Sequence, residues 1–216
     1  MALPAWRADR PLSIPLSTLR MPATTPPSQH HQALLHIVAQ SGWLMPALRA
    51  ARSLGLESWC IGAGAIRNLV WDDLHGYQNP SALTDIDLAF FDPEATPGLD
   101  QELQGRLQQE LAPGLPWEVT NQALVHTWFE SYFGHAVEPL QSLEDAIATW
   151  PEFATSVGVS LDADDQIQVI APHGLDDLFA MRVQRNPRRV SLETYRARVQ
   201  EKRYKERWPR VTVLAL

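Results

Sequence analysis

An α/β (α+β) fold is predicted by three features of the sequence. Short β-prone apolar runs alternate with stretches of helical spacing, one such run ends in a glycine turn that opens a helix, and the next run carries aspartates on alternate positions. The runs are "SWCIG" (58–62), "TDIDLAFFD" (84–92) and "PWEVTNQ" (116–122). With 45% apolar content over 216 residues, the chain can build one sizeable core.

The elements follow in order. Residues 1–29 hold six prolines and no sustained periodicity, which reads as a flexible leader before a single domain over 30–216. In "HHQALLHIVAQ", Leu34, Leu35 and Val38 recur at helical spacing; in "WLMPALRAARSLGL", Leu44, Met45 and Leu48 do the same, with Pro46 in a first turn that tolerates it. After "SWCIG", the segment "AIRNLVWDDL" places Ile66, Leu69, Val70 and Leu74 on one side of a helix. A second helix is predicted over 97–111, between the second and third strands. "TSVGVSL" and "QIQVIAP" read as strands around the acidic turn "DADD", and "GLDDLFAMRV" and "LETYRARVQEKRYKERW" as closing helices.

Composition narrows the function. The formal charge of −7 argues against a surface that grips a nucleic-acid backbone throughout. The charge is uneven: residues 188–210 carry +6, leaving −13 elsewhere. That basic tract can touch phosphates or RNA, although a solvated helix face is the plainer reading. A single cysteine, Cys60, rules out an internal disulfide framework, and its apolar neighbours indicate a buried thiol in a reducing, cytoplasmic setting. No apolar run approaches the roughly 20 residues that span a bilayer, and the N-terminal stretch lacks the apolar centre of a secretory signal, so no membrane partner is expected.

The aspartates carry the chemistry. Side chains alternate along a strand, so Asp85 and Asp87 face one way while Ile86, Leu88 and Phe90 face the other. Two carboxylates about 7 Å apart repel unless solvent or a cation intervenes, and Mg²⁺ prefers such oxygen ligands together with nucleotide phosphates. Glu118 lies between Trp117 and Val119, and joins the pair if its strand is the neighbour. Three acids around two ions form a site for in-line phosphoryl displacement. Gly62 and Gly64, at a strand-to-helix turn, let backbone N–H groups approach an anion, and Arg67 in the first helical turn can pair with a phosphate. Each part has a plainer reading, since glycine simply permits tight turns and Asp-x-Asp can guard a sheet edge. The order of the parts favours a site.

At these residues the sequence resembles the nucleotidyltransferase superfamily of the DNA polymerase β type, whose hallmark is a Gly-Gly or Gly-Ser turn, then Asp-x-Asp, then a third acid on a later strand. "GAGAIRN" and "TDIDLAFF" are similar to the head domain of CCA-adding and poly(A) polymerases. "WCIGAGAIRNLVWDDLHG", "TDIDLAFFD", "WEVTNQALVHTWF" and "APHGLDDLF" further resemble a bacterial family of short nucleotidyltransferase-like proteins, over residues 30–208. The resemblance implies a small mixed sheet flanked by helices. It implies Asp85, Asp87 and Glu118 as catalytic metal ligands for Mg²⁺ or Mn²⁺, and Gly62, Ala63 and Gly64 as the phosphate turn. Here that turn reads Gly-Ala-Gly without a hydroxyl, and a loop, "HGYQNPSAL", precedes Asp85.

Other residues invite simpler readings. Asp176 and Asp177 fit a helix N-terminus; His126 and Trp128 are candidates to line the acceptor site, with a packed interior the plainer reading; Asn121 and Gln122 are placed to contact base or sugar. The leading expectation is transfer of a nucleoside monophosphate from an NTP to a hydroxyl in a small molecule, protein or RNA. The alternatives are a catalytically inactive nucleotide- or partner-binding module of the same fold, and an RNA-binding protein that uses its basic C-terminal helix.

Overall fold

A computed structural model describes residues 28–214. Of the stretch 1–29 read above as leader, residues 1–27 lie outside the described residues, and Ser28 and Gln29 belong to the start of the first helix. Ser28 caps the first helix, α1 (Gln29–Gln40), by accepting from the His31 N–H, and α2 (Leu44–Arg52) follows with Pro46 inside its first turn. Then come β1 (Trp59–Gly62), α3 (Ala63–His75), β2 (Ile86–Phe90), α4 (Leu99–Arg106) with a π-helical turn over Leu107–Leu111, and β3 (Trp117–Asn121). After α5 (His126–Phe133) and α6 (Leu143–Ile147), the hairpin strands β4 (Gly158–Leu161) and β5 (Ile167–Ile170) complete a five-stranded mixed sheet of order β3-β2-β1-β4-β5.

Within that sheet β2 and β3 run parallel and every other pair is antiparallel. The parallel pair needs a crossover, which α4 supplies. In the β4–β5 turn, Asp162 Oδ1 accepts from the N–H groups of Asp164 and Gln166, both at 2.9 Å, so the acidic run "DADD" is a turn that closes on its own carboxylate. Arg52 of α2 reaches Asp165 in that turn at 2.6 Å.

The two sheet faces differ. Ile61, Ile86, Leu88 and Phe90 are fully buried against α1, α2 and α3, where Leu34, Leu48, Ile66 and Val70 meet them. Burying each such side chain contributes about 1.5–3 kcal/mol, so this face holds the sheet. The opposite face carries a small apolar cluster of Cys60, Ala89, Leu143 and Ile147, with Phe91, Trp150 and Ile170 packed against it. The rest of that face is polar.

Towards the C-terminus the structure departs from the helices the sequence indicates. "GLDDLFAMRV" forms only one turn, α7 (Asp176–Phe179), because Met181 is left-handed (φ 51°) and the chain then enters β6 (Arg182–Val183), paired in parallel with β7 (Thr212–Val213). The last long helix is likewise broken, into α8 (Leu192–Lys202) and α9 (Tyr204–Arg207), by Arg203 at φ 49°. The break turns Tyr204 and Trp208 inward onto Trp71, whose ring meets theirs edge-on at 5.9 and 5.3 Å. Burial of two aromatic rings outweighs the cost of the left-handed residue.

Gly158 shows how closely the polar face is packed: a Cβ there would lie 2.5 Å from Cys60 Sγ. Gly158→Ala should cost about 1–3 kcal/mol, the usual range for overpacking, read as a lower urea midpoint at unchanged m-value. Adding Cys60→Ala, which removes that sulfur, should recover part of the loss.

Candidate active site

The polar face forms a cavity of about 290 Å³ whose walls include Gly64, Arg67, Asp85, Asp87 and Glu118. Asp87 and Glu118 are direct partners in the parallel β2–β3 register, so alternation puts both carboxylates on the same face, side by side. Asp85 stands just before β2, where its Oδ1 accepts from Thr84 Oγ1 at 3.2 Å. The turn reaches it from the other side: a Cβ on Gly64 would lie 3.7 Å from the same Oδ1. Residues distant in the sequence thus share one cavity.

The electrostatics of this grouping are unfavourable as it stands. Burial, reinforced by the charges of Asp85 and Glu118, pushes the Asp87 carboxyl up to about 7, although Lys202 and Arg198 pull the other way. Behind it, burial and then the Asp87 charge raise the Cys60 thiol, which keeps it protonated and inert. Among the described residues no three His, Cys, Asp or Glu side chains already converge as a ligand cluster. The donors present are all carboxylate oxygens whose mutual repulsion a cation would relieve, and that donor set suits a hard divalent ion such as Mg²⁺ or Mn²⁺.

The glycine turn divides its labour. Gly62 is extended, and a Cβ on it would lie 2.6 Å from the Trp150 ring, so its missing side chain makes room for that ring behind the turn. Ala63 is left-handed (φ 51°) and donates its N–H to Val157 O at 3.2 Å. The first donors of α3 without an intrahelical partner therefore begin at Gly64, where Gly64 and Ala63 line the cavity.

Arg67 is buried, 4% exposed, with its guanidinium 5.1–5.8 Å from the ring centres of Trp71, Tyr204 and Trp208. One nitrogen donates to Asn68 Oδ1 at 2.7 Å, and Nε has no partner. Three aromatic faces offset part of the desolvation of this cation.

Sequence reasoning missed the remaining cations. Arg198 and Lys202 of α8 and Arg207 of α9 line the cavity, so the basic tract contributes to a wall of the site as well as a solvated face. Arg198 is held by the buried Glu152 carboxylate at 3.0 Å, which Thr155 and Tyr204 also contact. Burial works against the Arg198 charge, but Glu152 overcomes it and raises its pKa. Burial and the nearby Arg67 charge lower that of Arg207. The +6 of residues 188–210 was the available signal; the docking of α8 on Glu152 directs Arg198, and the α8–α9 break directs Arg207. The loop before Asp85 is tied down by Asp72, which accepts from Ser81 N and Oγ at 2.6 Å and from Trp208 Nε1 at 2.7 Å.

Two expectations change. Asn121 does not face a ligand: it is buried, and its side chain clamps Asp92 N and O and Ala123 N at 2.7–3.1 Å. Gln122 does line the cavity. Trp128 is not a core residue but 41% exposed, while His126 does make a local contact, with Ala123 O at 3.0 Å. Asp176 and Asp177 occupy the first turn of α7 as expected, with Asp177 also paired to Arg182.

Because the native Asp87 keeps its proton to about pH 7 and the unfolded chain loses it near the ordinary value of 3.8, the native state binds the extra proton between these limits. Stability from this group therefore falls as pH rises from about 4 to 7 and is level above. Asp87→Asn should unfold at the same temperature as wild type near pH 4 and at a higher one above pH 7, measured by thermal melts without added metal. A variant destabilised at every pH would make Asp87 a structural residue.

Comparison with known proteins accords with this geometry. No curated protein matches the chain. A solved NMR structure described as revealing a CCA-adding enzyme head domain is 28% identical, with a TM-score of 0.73 over 86% of this chain and 96% of that one. The Thermotoga maritima CCA-adding enzyme complexed with tRNA is 14% identical, with a TM-score of 0.50; the match spans 85% of this chain and 42% of that enzyme, and shows the shared fold. A family model described as Nucleotidyltransferase matches residues 49–213, from α2 through β7, taking in the turn, all three acids and the cationic wall, and the chain therefore belongs to the nucleotidyltransferase family.

Proposed function

We propose that the cavity transfers a nucleoside monophosphate from an NTP to a hydroxyl acceptor by a two-metal mechanism with Mg²⁺ or Mn²⁺, and that Asp85, Asp87 and Glu118 are its catalytic acids. The observation that carries this reading is the direct register of Asp87 with Glu118 beside the Gly64 turn and Asp85. Asp85 and Asp87 would hold the ions, with Glu118 completing the set. Divalent ions held there would supply Lewis-acid stabilisation of the charge that develops during phosphoryl transfer.

The chain's own residues do the rest. Unpaired N–H groups from Gly64 onward, at the positive end of α3, face the triphosphate. Arg67, Lys202 and Arg207 neutralise it, which relieves the crowding of cations on that wall. The acceptor oxygen attacks the α-phosphorus, its proton passes to Glu118, and the bond to the β-phosphate oxygen breaks to release pyrophosphate. Arg198, fixed by Glu152, borders the cavity on the acceptor side.

The likeness to a head domain supports NTP as donor. Among the described residues no helix is long and apolar enough to cross a membrane. The buried thiol of Cys60 is in keeping with a cytoplasmic protein, our reading of its location.

Calorimetric titration of each NTP, with and without Mg²⁺, tests the site. Wild type should bind in a metal-dependent manner, and Asp85→Asn/Asp87→Asn should lose at least about tenfold in affinity, or about 1.4 kcal/mol. Glu118→Gln should keep much of the NTP binding while pyrophosphate release falls by about 100-fold, the scale of a lost general base. Equal binding by wild type and the double variant would move the nucleotide site elsewhere.

A further inference from the structure

Past the end of β3 a second cavity of about 360 Å³ adjoins the catalytic one, and the two share Thr120, Gln122, Trp150, Pro151 and Arg198. Beyond that seam the walls turn aromatic, with Trp128, Phe129 and Phe133 of α5 prominent. This helix buries none of its residues: Trp128 is 41% exposed and Phe133 45%. Phe129 and Phe133 pack at a tilt of 35° with centres 4.4 Å apart, and Arg189 lies 5.7 Å over Phe129. A ring cluster left on the surface beside a reactive centre is the ordinary form of a ligand pocket.

Arg189 also lines this cavity. It donates to the Glu138 backbone oxygen, and among the described residues it makes no ion pair. The neighbouring cations are engaged, Arg188 by Asp145 and Arg198 by Glu152. The lining holds no acidic side chain, and of its two arginines only Arg189 is outside an ion pair among the described residues, too few for a polyanion, whose binding needs several free cations.

The opposite wall differs: Thr84, Lys202 and Arg207 border both the catalytic cavity and a further hollow formed with Ser81, Glu201 and Glu206. A triphosphate belongs with the cations. The hydroxyl that attacks it in line must then approach from the far side of the transferred phosphorus. That is the side of Glu118, from which β3 leads through Thr120 into the aromatic cavity.

Resting on the function proposed above, we infer that the aromatic cavity binds the acceptor, a small molecule with a planar aromatic body, a hydroxyl that reaches Glu118 and an acidic group that meets Arg189. The rings of α5 and Trp150 hold its body. Its hydroxyl oxygen forms the new bond to phosphorus as pyrophosphate leaves, and its proton goes to Glu118.

A suitable probe is 4-hydroxyphenylacetate, followed by saturation-transfer NMR on the full chain. Wild type should bind it, and Phe129→Ala and Arg189→Gln should each weaken binding by about tenfold, as expected for loss of an aromatic or charged anchor. Because α5 buries nothing, Phe129→Ala should melt at the wild-type temperature, and Arg189→Gln, which keeps a side-chain N–H for the Glu138 oxygen, should melt close to it. No binding, or binding indifferent to both substitutions, would overturn the inference. Displacement of the probe by ATP with Mg²⁺ would also overturn it, since the cavity would then hold the nucleobase. A protein that binds the probe but no NTP would instead bring down the nucleotidyl-transfer reading, and with it the acceptor role, while leaving ring binding in place.

Discussion

Repulsion among Asp85, Asp87 and Glu118 is the constraint around which the structure is arranged. A sheet buried on both faces would not tolerate these carboxylates, because an unpaired charge in an apolar interior is too costly. This sheet places its apolar weight on one side, where α1–α3 bury Ile61, Ile86, Leu88 and Phe90. The other side is then free to be polar, and the parallel pairing of β2 with β3 sets Asp87 beside Glu118. The raised Asp87 pKa is the residue of strain that this leaves in the protein alone.

Holding cations near those acids poses the complementary problem. Free arginines on a flexible tail would contribute little, since exposed ion pairs are weak and screened. Here the C-terminal segment is fastened to α3 by Trp71, Tyr204 and Trp208 and by the Trp208–Asp72 hydrogen bond at 2.7 Å. The same rings surround Arg67. One aromatic cluster thus anchors the wall that bears Lys202 and Arg207 and also houses the buried cation of α3. Glu152 does the equivalent for Arg198, where the carboxylate is fully engaged by Arg198, Thr155 and Tyr204.

The site consequently has two unlike sides, cationic towards α9 and aromatic towards α5, with the acids between. A reaction that joins a highly charged donor to a less charged acceptor needs such an asymmetry, because each substrate is then drawn to its own side by its own chemistry. The left-handed Ala63 and the extended Gly62 beneath Trp150 bring the first turn of α3 close to Asp85 without a side chain in the way.

Local rules made much of this legible. Alternation along "TDIDLAFFD" put the two aspartates opposite the apolar side chains, helical spacing marked α1 to α3, and the glycine run placed a turn between β1 and α3; these depend on neighbours in sequence and need nothing else. That Glu118 stands beside Asp87 required a register between strands about 30 positions apart, which alternation alone could only make conditional. The role of Asn121 as a clamp on Asp92 and the exposure of Trp128 depended likewise on partners that no local pattern names. The basic tract was visible as charge, but its direction came from packing: Glu152 holds Arg198, and the left-handed Arg203 turns the chain so that two rings are buried and Arg207 reaches the cavity. The sequence by itself determined the order of strand, turn and helix and the face of β2 that Asp87 occupies, because those are properties of local geometry. The tertiary structure decided which of them meet, because that follows from packing between segments far apart in the chain.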